Sequence, residues 1–244
     1  MGLGAPRRPG PRGQGVFVCE EGRVFMLLRA VIFDLDGTLV DSLGDIADAT
    51  NHALAHHGLP THPESAYLRF VGSGVRELIR RAVPSGQDAL IEPVLASYKA
   101  YYDDHLFDRT AHYPGIPEML TALAAQGTKL AVLSNKSDDF VKRLVARLLP
   151  QASFAAVYGE RPELPRKPDP TAALALASEL GVPPAACGFV GDTSIDMDTA
   201  RAAGMYGVGV AWGFREVDEL KAHGARAVAA TAAELLAALR DARP

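Results

Sequence analysis

Ala30-Val31-Ile32-Phe33-Asp34-Leu35-Asp36-Gly37-Thr38-Leu39-Val40-Asp41-Ser42 is the stretch around which the chain is organised. Its opening run of apolar residues, Val31 and Ile32 being β-branched, predicts a short strand buried on both faces. The strand runs directly into two carboxylates. Asp34 and Asp36 stand two apart, so on extended backbone they project to the same side. Gly37 permits a sharp turn and close approach of a ligand to the backbone. At about 4 Å and an effective dielectric near 20, one like-charge pair costs roughly 4 kcal/mol. A cation is therefore expected beside the pair. An Asp-Gly hairpin turn with both acids solvated fits poorly, because Thr38 to Ser42 is not a second alternating strand.

Downstream the rhythm becomes helical. Ile46, Ala47, Thr50, Ala53, Leu54 and His57 fall on one face of a helix that Gly58 and Pro60 stop. Further helices are expected over about 64–71, 75–83 and 88–106, the last broken or restarted at Pro93. Residues 43–113 thus read as one all-helical insertion, a cap. From Pro114 helices and short apolar strands alternate, with strands at Lys129–Leu133, Phe154–Tyr158, Gly188–Val190 and Tyr206–Val210 and two closing helices. Strands separated by helices imply right-handed crossovers and an α/β, doubly wound parallel sheet. Its segments are 26–42 and 114–244. Ligands of such sheets bind beyond the carboxyl ends of the strands, where Asp34, Ser134 and Asp192 fall.

The remainder of the chain sets bounds. Among 244 residues, 48% are hydrophobic and 22% charged, as in an ordinary globular protein, and the net charge of −4 leaves no footprint for nucleic acid or an anionic membrane. No apolar run reaches the ~18 residues of a membrane helix. With only Cys19 and Cys187, no disulfide framework is possible, and a reducing, cytoplasmic location is expected. Cys187, within an apolar run, reads as packed. Residues 1–25, rich in Gly, Pro and Arg without periodicity, read as a disordered extension. The seven histidines show no metal-ligand spacing.

Four motifs, taken in order, resemble those of the haloacid dehalogenase-like (HAD) phosphohydrolases. They are Asp34-Leu35-Asp36-Gly37-Thr38, Leu133-Ser134-Asn135, Arg166-Lys167-Pro168-Asp169-Pro170 and Gly191-Asp192-Thr193-Ser194-Ile195-Asp196. The resemblance implies a Mg²⁺-dependent phosphatase acting on a small-molecule phosphate ester. Asp34 would be the nucleophile that becomes an aspartyl phosphate, and Asp36 the general acid and base. Ser134 and the Asn135 amide would bind phosphate oxygens, and Lys167 would add positive charge and keep Asp34 ionised. Asp34, the Asp36 carbonyl and Asp192 would hold the metal. Asp196 has three open readings: a metal ligand through water, a residue orienting Lys167, or a helix-start acid facing the dipole. The insertion is similar to the cap of phosphoglycolate phosphatases. Its Gly72-Ser73-Gly74 turn at a helix start, with Arg69 or Arg76 nearby, would suit a small substrate carboxylate. Alternatives are a β-phosphoglucomutase or a phosphatase for a sugar phosphate or pyrophosphate. From another class come a phospho-Asp receiver domain, which leaves Asp36 and the cap unexplained, and a non-catalytic phosphate-binding protein, which leaves the filled catalytic positions unexplained.

Overall fold

The computed structural model describes residues 16–18, 24–26 and 28–242. Two short strands, β1 (Val16–Val18) and β2 (Val24–Met26), pair antiparallel within the region expected to lack structure. Each carries β-branched or aromatic residues, and Gly22 lies between them. The rest of the expected disordered extension lies outside the described residues.

The decisive stretch opens with β3 (Ala30–Phe33), wholly buried. It is followed by β4 (Val40–Asp41) and the helical insertion α1 (Leu43–His56), α2 (Glu64–Phe70), α3 (Val75–Ala82) and α4 (Ile91–Asp104). The chain returns through β5 (Ala111–His112) and α5 (Ile116–Ala125) to β6 (Lys129–Ser137). Then come α6 (Asp138–Leu148), β7 (Phe154–Glu160), α7 (Thr171–Glu179), β8 (Cys187–Gly191) and α8 (Ser194–Ala202). The last elements are β9 (Tyr206–Val210), α9 (Val217–Ala222), β10 (Ala227–Ala229) and α10 (Ala232–Arg240).

Six strands form one parallel sheet in the order β10-β9-β8-β3-β6-β7. The α/β, doubly wound expectation holds. Alternate residues of β3 serve opposite faces, as the pleat requires. Val31 and Phe33 join Leu120 of α5, Leu144 of α6 and Leu235 of α10. Ala30 and Ile32 join Leu176 of α7 and Ala200 of α8. The sheet is extended on one side of β3 by β6 and β7 and on the other by β8, β9 and β10, so the strand order reverses at β3. Asp34 and Asp192 lie just beyond the carboxyl ends of β3 and β8, and Ser134 lies toward the carboxyl end of β6, where its ladder with β7 loses register.

Two expectations are corrected. The closing region is not two helices alone, because β10 lies between them and pairs with β9, Ala227 opposite Val208 and Ala229 opposite Val210. Its alanines favour helix intrinsically, and pairing at the sheet edge overrides that preference. Nor does Pro93 break α4 internally, although a 3₁₀ turn at Asp88–Leu90 gives way to α4 two residues before it, the restart that is the other half of the expectation. Pro93 is the third residue of α4, in the first turn, where amide protons have no partner within the helix to lose.

The outgoing and returning crossings of the insertion are fastened to each other. β4 and β5 pair antiparallel, Val40 opposite His112 and Asp41 opposite Ala111. Buried Asp45, in the first turn of α1, accepts hydrogen bonds from Arg109 N at 2.8 Å, Thr110 N at 2.9 Å and Thr110 Oγ1 at 2.6 Å. Three donors on one carboxylate satisfy its burial without a partner cation.

Candidate active site

After β3 the chain closes a tight loop. Gly37 N donates to Val40 O at 2.8 Å and Leu39 N to Leu35 O at 2.9 Å. Gly37 adopts φ +82°, and a Cβ there would stand 2.2 Å from Asp192 Oδ2. Only glycine meets both demands. Gly37→Ala is accordingly expected to lower thermal stability by at least ~1–2 kcal/mol, the cost of left-handed backbone for an L residue, and to displace Asp192. A melting curve indistinguishable from wild type would contradict the packing described.

Asp192 is fully buried behind this loop. Thr38 Oγ1 donates to its Oδ1 at 3.1 Å and Phe214 N to its Oδ2 at 2.8 Å. Asp34, Asp192 and Asp196 are all buried, and one carboxylate oxygen from each lies within 4.8 Å of the others. The cation among them is Lys167, with its Nζ 2.9 Å from Asp34 Oδ1 and 2.7 Å from Asp196 Oδ1. The contact with Asp34 is an ion pair whose angles fall short of a hydrogen bond, so Asp34 Oδ1 has no hydrogen-bond donor.

The electrostatics follow from that crowding. Burial pushes the Asp34 carboxyl up to about 7, against the pull of Lys167, with repulsion from Asp196 and Asp36 adding to the rise. Burial, then Asp196 and Asp34, push Asp192 well above the usual carboxylate range, and the Phe214 N–H and Thr38 hydroxyl offset this only in part. Burial alone would lower the Lys167 ammonium, but Asp196 and Asp34 outweigh it and hold it above its ordinary value. Of these three buried carboxylates only Asp34 and Asp196 pair with the ammonium, and an all-oxygen set with a hydrogen-bond-free oxygen fits a hard divalent cation.

Asp36 turns the other way. It accepts from Ser42 Oγ at 2.5 Å, and Lys136 Nζ lies 2.9 and 3.1 Å from its two oxygens. The expected crowding of Asp34 with Asp36 is therefore relieved by two lysines, one on each carboxylate. Reasoning from sequence passed over Lys136, although it stands two residues after Ser134 at a strand end, the same spacing that drew attention to Asp36 after Asp34. Thr38, read from sequence only as part of the first motif, and Phe214 hold Asp192, and Gly213 packs against it. The last two lie in the loop after β9, where no local pattern marks them.

Ser134 is buried, at a point where the ladder between β6 and β7 loses register between Leu133 and Ser137. The Asn135 side chain is committed to linking elements. Its Nδ2 donates to Gly72 O at 3.0 Å and Lys167 O at 3.1 Å, while its Oδ1 accepts from Lys167 N at 2.9 Å. Asp196 caps α8. Its Oδ2 accepts from Thr193 N at 3.1 Å and Thr193 Oγ1 at 2.7 Å, leaving Oδ1 to Lys167. Both oxygens are engaged, one in the helix-start role and one in orienting Lys167, so two of its three readings are met together.

Asp34, Asp36, Ser134, Asn135 and Lys136 line one cavity of about 520 Å³, its open mouth included, that Gly72 and Gly74 border from the helical insertion. Ile46, Val71, Val75, Leu78 and Tyr98 supply apolar wall. Ser73 is turned aside, its Oγ accepting from Arg81 Nη2 at 3.1 Å. The two arginines expected beside this turn are a correction. Arg69 is exposed, and Arg76 is exposed and pairs with Glu92; neither lines the cavity. The arginine that clasps the turn is Arg215, donating to the Leu68 carbonyl and, at 3.0 Å, to Val71 O.

Residues 31–210 match the sequence profile of the haloacid dehalogenase-like hydrolases. The chain is 37% identical over 195 residues to the phosphoglycolate phosphatase of Pseudomonas putida, covering 77% of this chain and 71% of that one. To the phosphoglycolate phosphatase of Chromobacterium violaceum it is 34% identical over 200 residues, covering 80% and 90%. Among solved structures, a candidate phosphoglycolate phosphatase from Lactobacillus delbrueckii subsp. bulgaricus superposes with TM-score 0.84 at 33% identity, over 89% of this chain and 100% of that one. A haloacid dehalogenase-like family hydrolase from Streptococcus pneumoniae superposes with TM-score 0.79 at 25% identity, over 86% and 97%.

Proposed function

Because this chain belongs to the haloacid dehalogenase-like hydrolases and is a phosphatase, we propose that it hydrolyses 2-phosphoglycolate to glycolate and phosphate through an aspartyl phosphate. The observation that carries the reading is the convergence of Asp34, Asp36 and Ser134 on one cavity that the helical cap borders. The relatives named phosphoglycolate phosphatase support the substrate.

A phosphomonoester resists a carboxylate nucleophile because both are anionic, so the site must surround the phosphoryl group with positive charge. Asp34 attacks phosphorus, and the bond to the leaving oxygen breaks as Asp36 gives that oxygen a proton. Asp36, now a carboxylate, takes a proton from the water that attacks the aspartyl phosphate, returning Asp34 to its starting form. Lys167 favours the ionised form of Asp34 against the effect of burial and orients it, and Asp196 fixes Lys167. The Ser134 hydroxyl and the main-chain amide of Asn135 donate to the phosphoryl oxygens. Asp34, Asp192 and the Asp36 carbonyl would hold Mg²⁺, which when bound supplies positive charge beside the phosphoryl group.

Specificity comes from the cap. Gly72, Ser73 and Gly74 precede α3, whose first-turn amides lack partners within the helix and receive the substrate carboxylate. Unpaired buried donors discriminate far more strongly than a missing methylene. The kcat/KM for 2-phosphoglycolate is thus expected to exceed that for ethyl phosphate, of similar size but uncharged at that end, by ~10² or more. A phosphate-release assay reads this directly, and equal values would refute the substrate assignment.

A further inference from the structure

A substrate carboxylate that leaves water needs a cation as well as amides, and the two arginines expected to provide one are outside the cavity. Lys136 is the only Lys or Arg among the described residues that line it. Its side chain is 9% exposed, buried between the sheet and the cap. On one side its Nζ meets both Asp36 oxygens, and on the other it lies 4.9 Å from the centre of the Tyr102 ring on α4. Among the described residues Asp36 is its one ion-pair partner, and Ser42 already shares that carboxylate. An ammonium has three protons to donate, so it can serve a second acceptor in the cavity without leaving Asp36. The adjoining wall of Val71, Val75, Leu78 and Tyr98 is apolar, which strengthens any ion pair formed against it.

Building on the reading above, we infer that Lys136 is the specificity-determining cation of this site, pairing with a carboxylate carried by the substrate beyond its phosphoester. The rival role is plain: Lys136 could serve only to position Asp36. The two roles separate cleanly, because a positioning residue affects every substrate alike.

The test compares Lys136→Met and Lys136→Arg with wild type on 2-phosphoglycolate and on ethyl phosphate. Lys136→Met is expected to lower the ratio of the two kcat/KM values by about 10- to 100-fold, the worth of a charged hydrogen bond, chiefly through KM for 2-phosphoglycolate. Lys136→Arg is expected to restore most of the ratio. Lys136→Gln, with a polar uncharged tip, gives the same readout should the methionine variant fail to accumulate. Equal losses on both substrates, with the wild-type ratio kept, would overturn the inference and leave the phosphoglycolate reading standing. A wild type that does not distinguish the two substrates would overturn that reading, and the inference with it.

Discussion

Asp34→Asn is expected to abolish turnover while leaving the fold intact. The amide is nearly isosteric, sits at the end of a strand whose four residues are wholly buried, and has no negative charge with which to attack phosphorus. By the scale of other nucleophile deletions the loss in kcat is on the order of 10⁴ or more. The fold has reason to tolerate the change. Folding raises the Asp34 carboxyl from 3.8 to about 7, so the folded chain binds its proton more tightly than the unfolded one. The stability this contributes is full below the unfolded value and lost as pH rises through the folded one. The neutral amide removes that loss, so without metal the variant should melt no lower than wild type at pH 8. Activity within tenfold of wild type would defeat the assignment of the nucleophile.

Chelation is expected to abolish activity and Mg²⁺ to restore it, since Asp34, Asp192 and Asp196 crowd together with one ammonium that pairs only with Asp34 and Asp196, and a phosphate dianion must join them. Calcium should not restore it, because its longer and looser coordination would misplace Asp34. A second readout needs no turnover. Mg²⁺ at a hundredfold excess over its dissociation constant should stabilise the protein by about 2.7 kcal/mol, visible as a rise in Tm. Full activity after exhaustive chelation would refute this account of the acidic cluster.

Much of this was legible in the chain because the informative features are local. The apolar run ending at Asp34 marks a buried strand, and polar residues following such runs mark the active end of a parallel sheet. Features made by distant partners were not legible. β4 and β5 are two residues each and exist because they pair with one another. β10 depends on β9, and its alanines indicate helix when taken alone. Arg69 and Arg76 looked suitable by proximity, yet each lies two positions from a buried neighbour, Tyr67 or Leu78, about 200° around its helix. Lys136 is marked in the chain only by its spacing after Ser134, and its partner Asp36 emerges only from the fold.

The central claim is a covalent phosphoenzyme on Asp34, and rapid acid quench with peptide mass mapping tests it most directly. During turnover of 2-phosphoglycolate with Mg²⁺, a phosphoryl increment on Asp34 is predicted, appearing before steady state and absent from Asp34→Asn. Steady turnover with no phosphoryl group on the protein at any quench time, or with the group on another residue, would contradict the account.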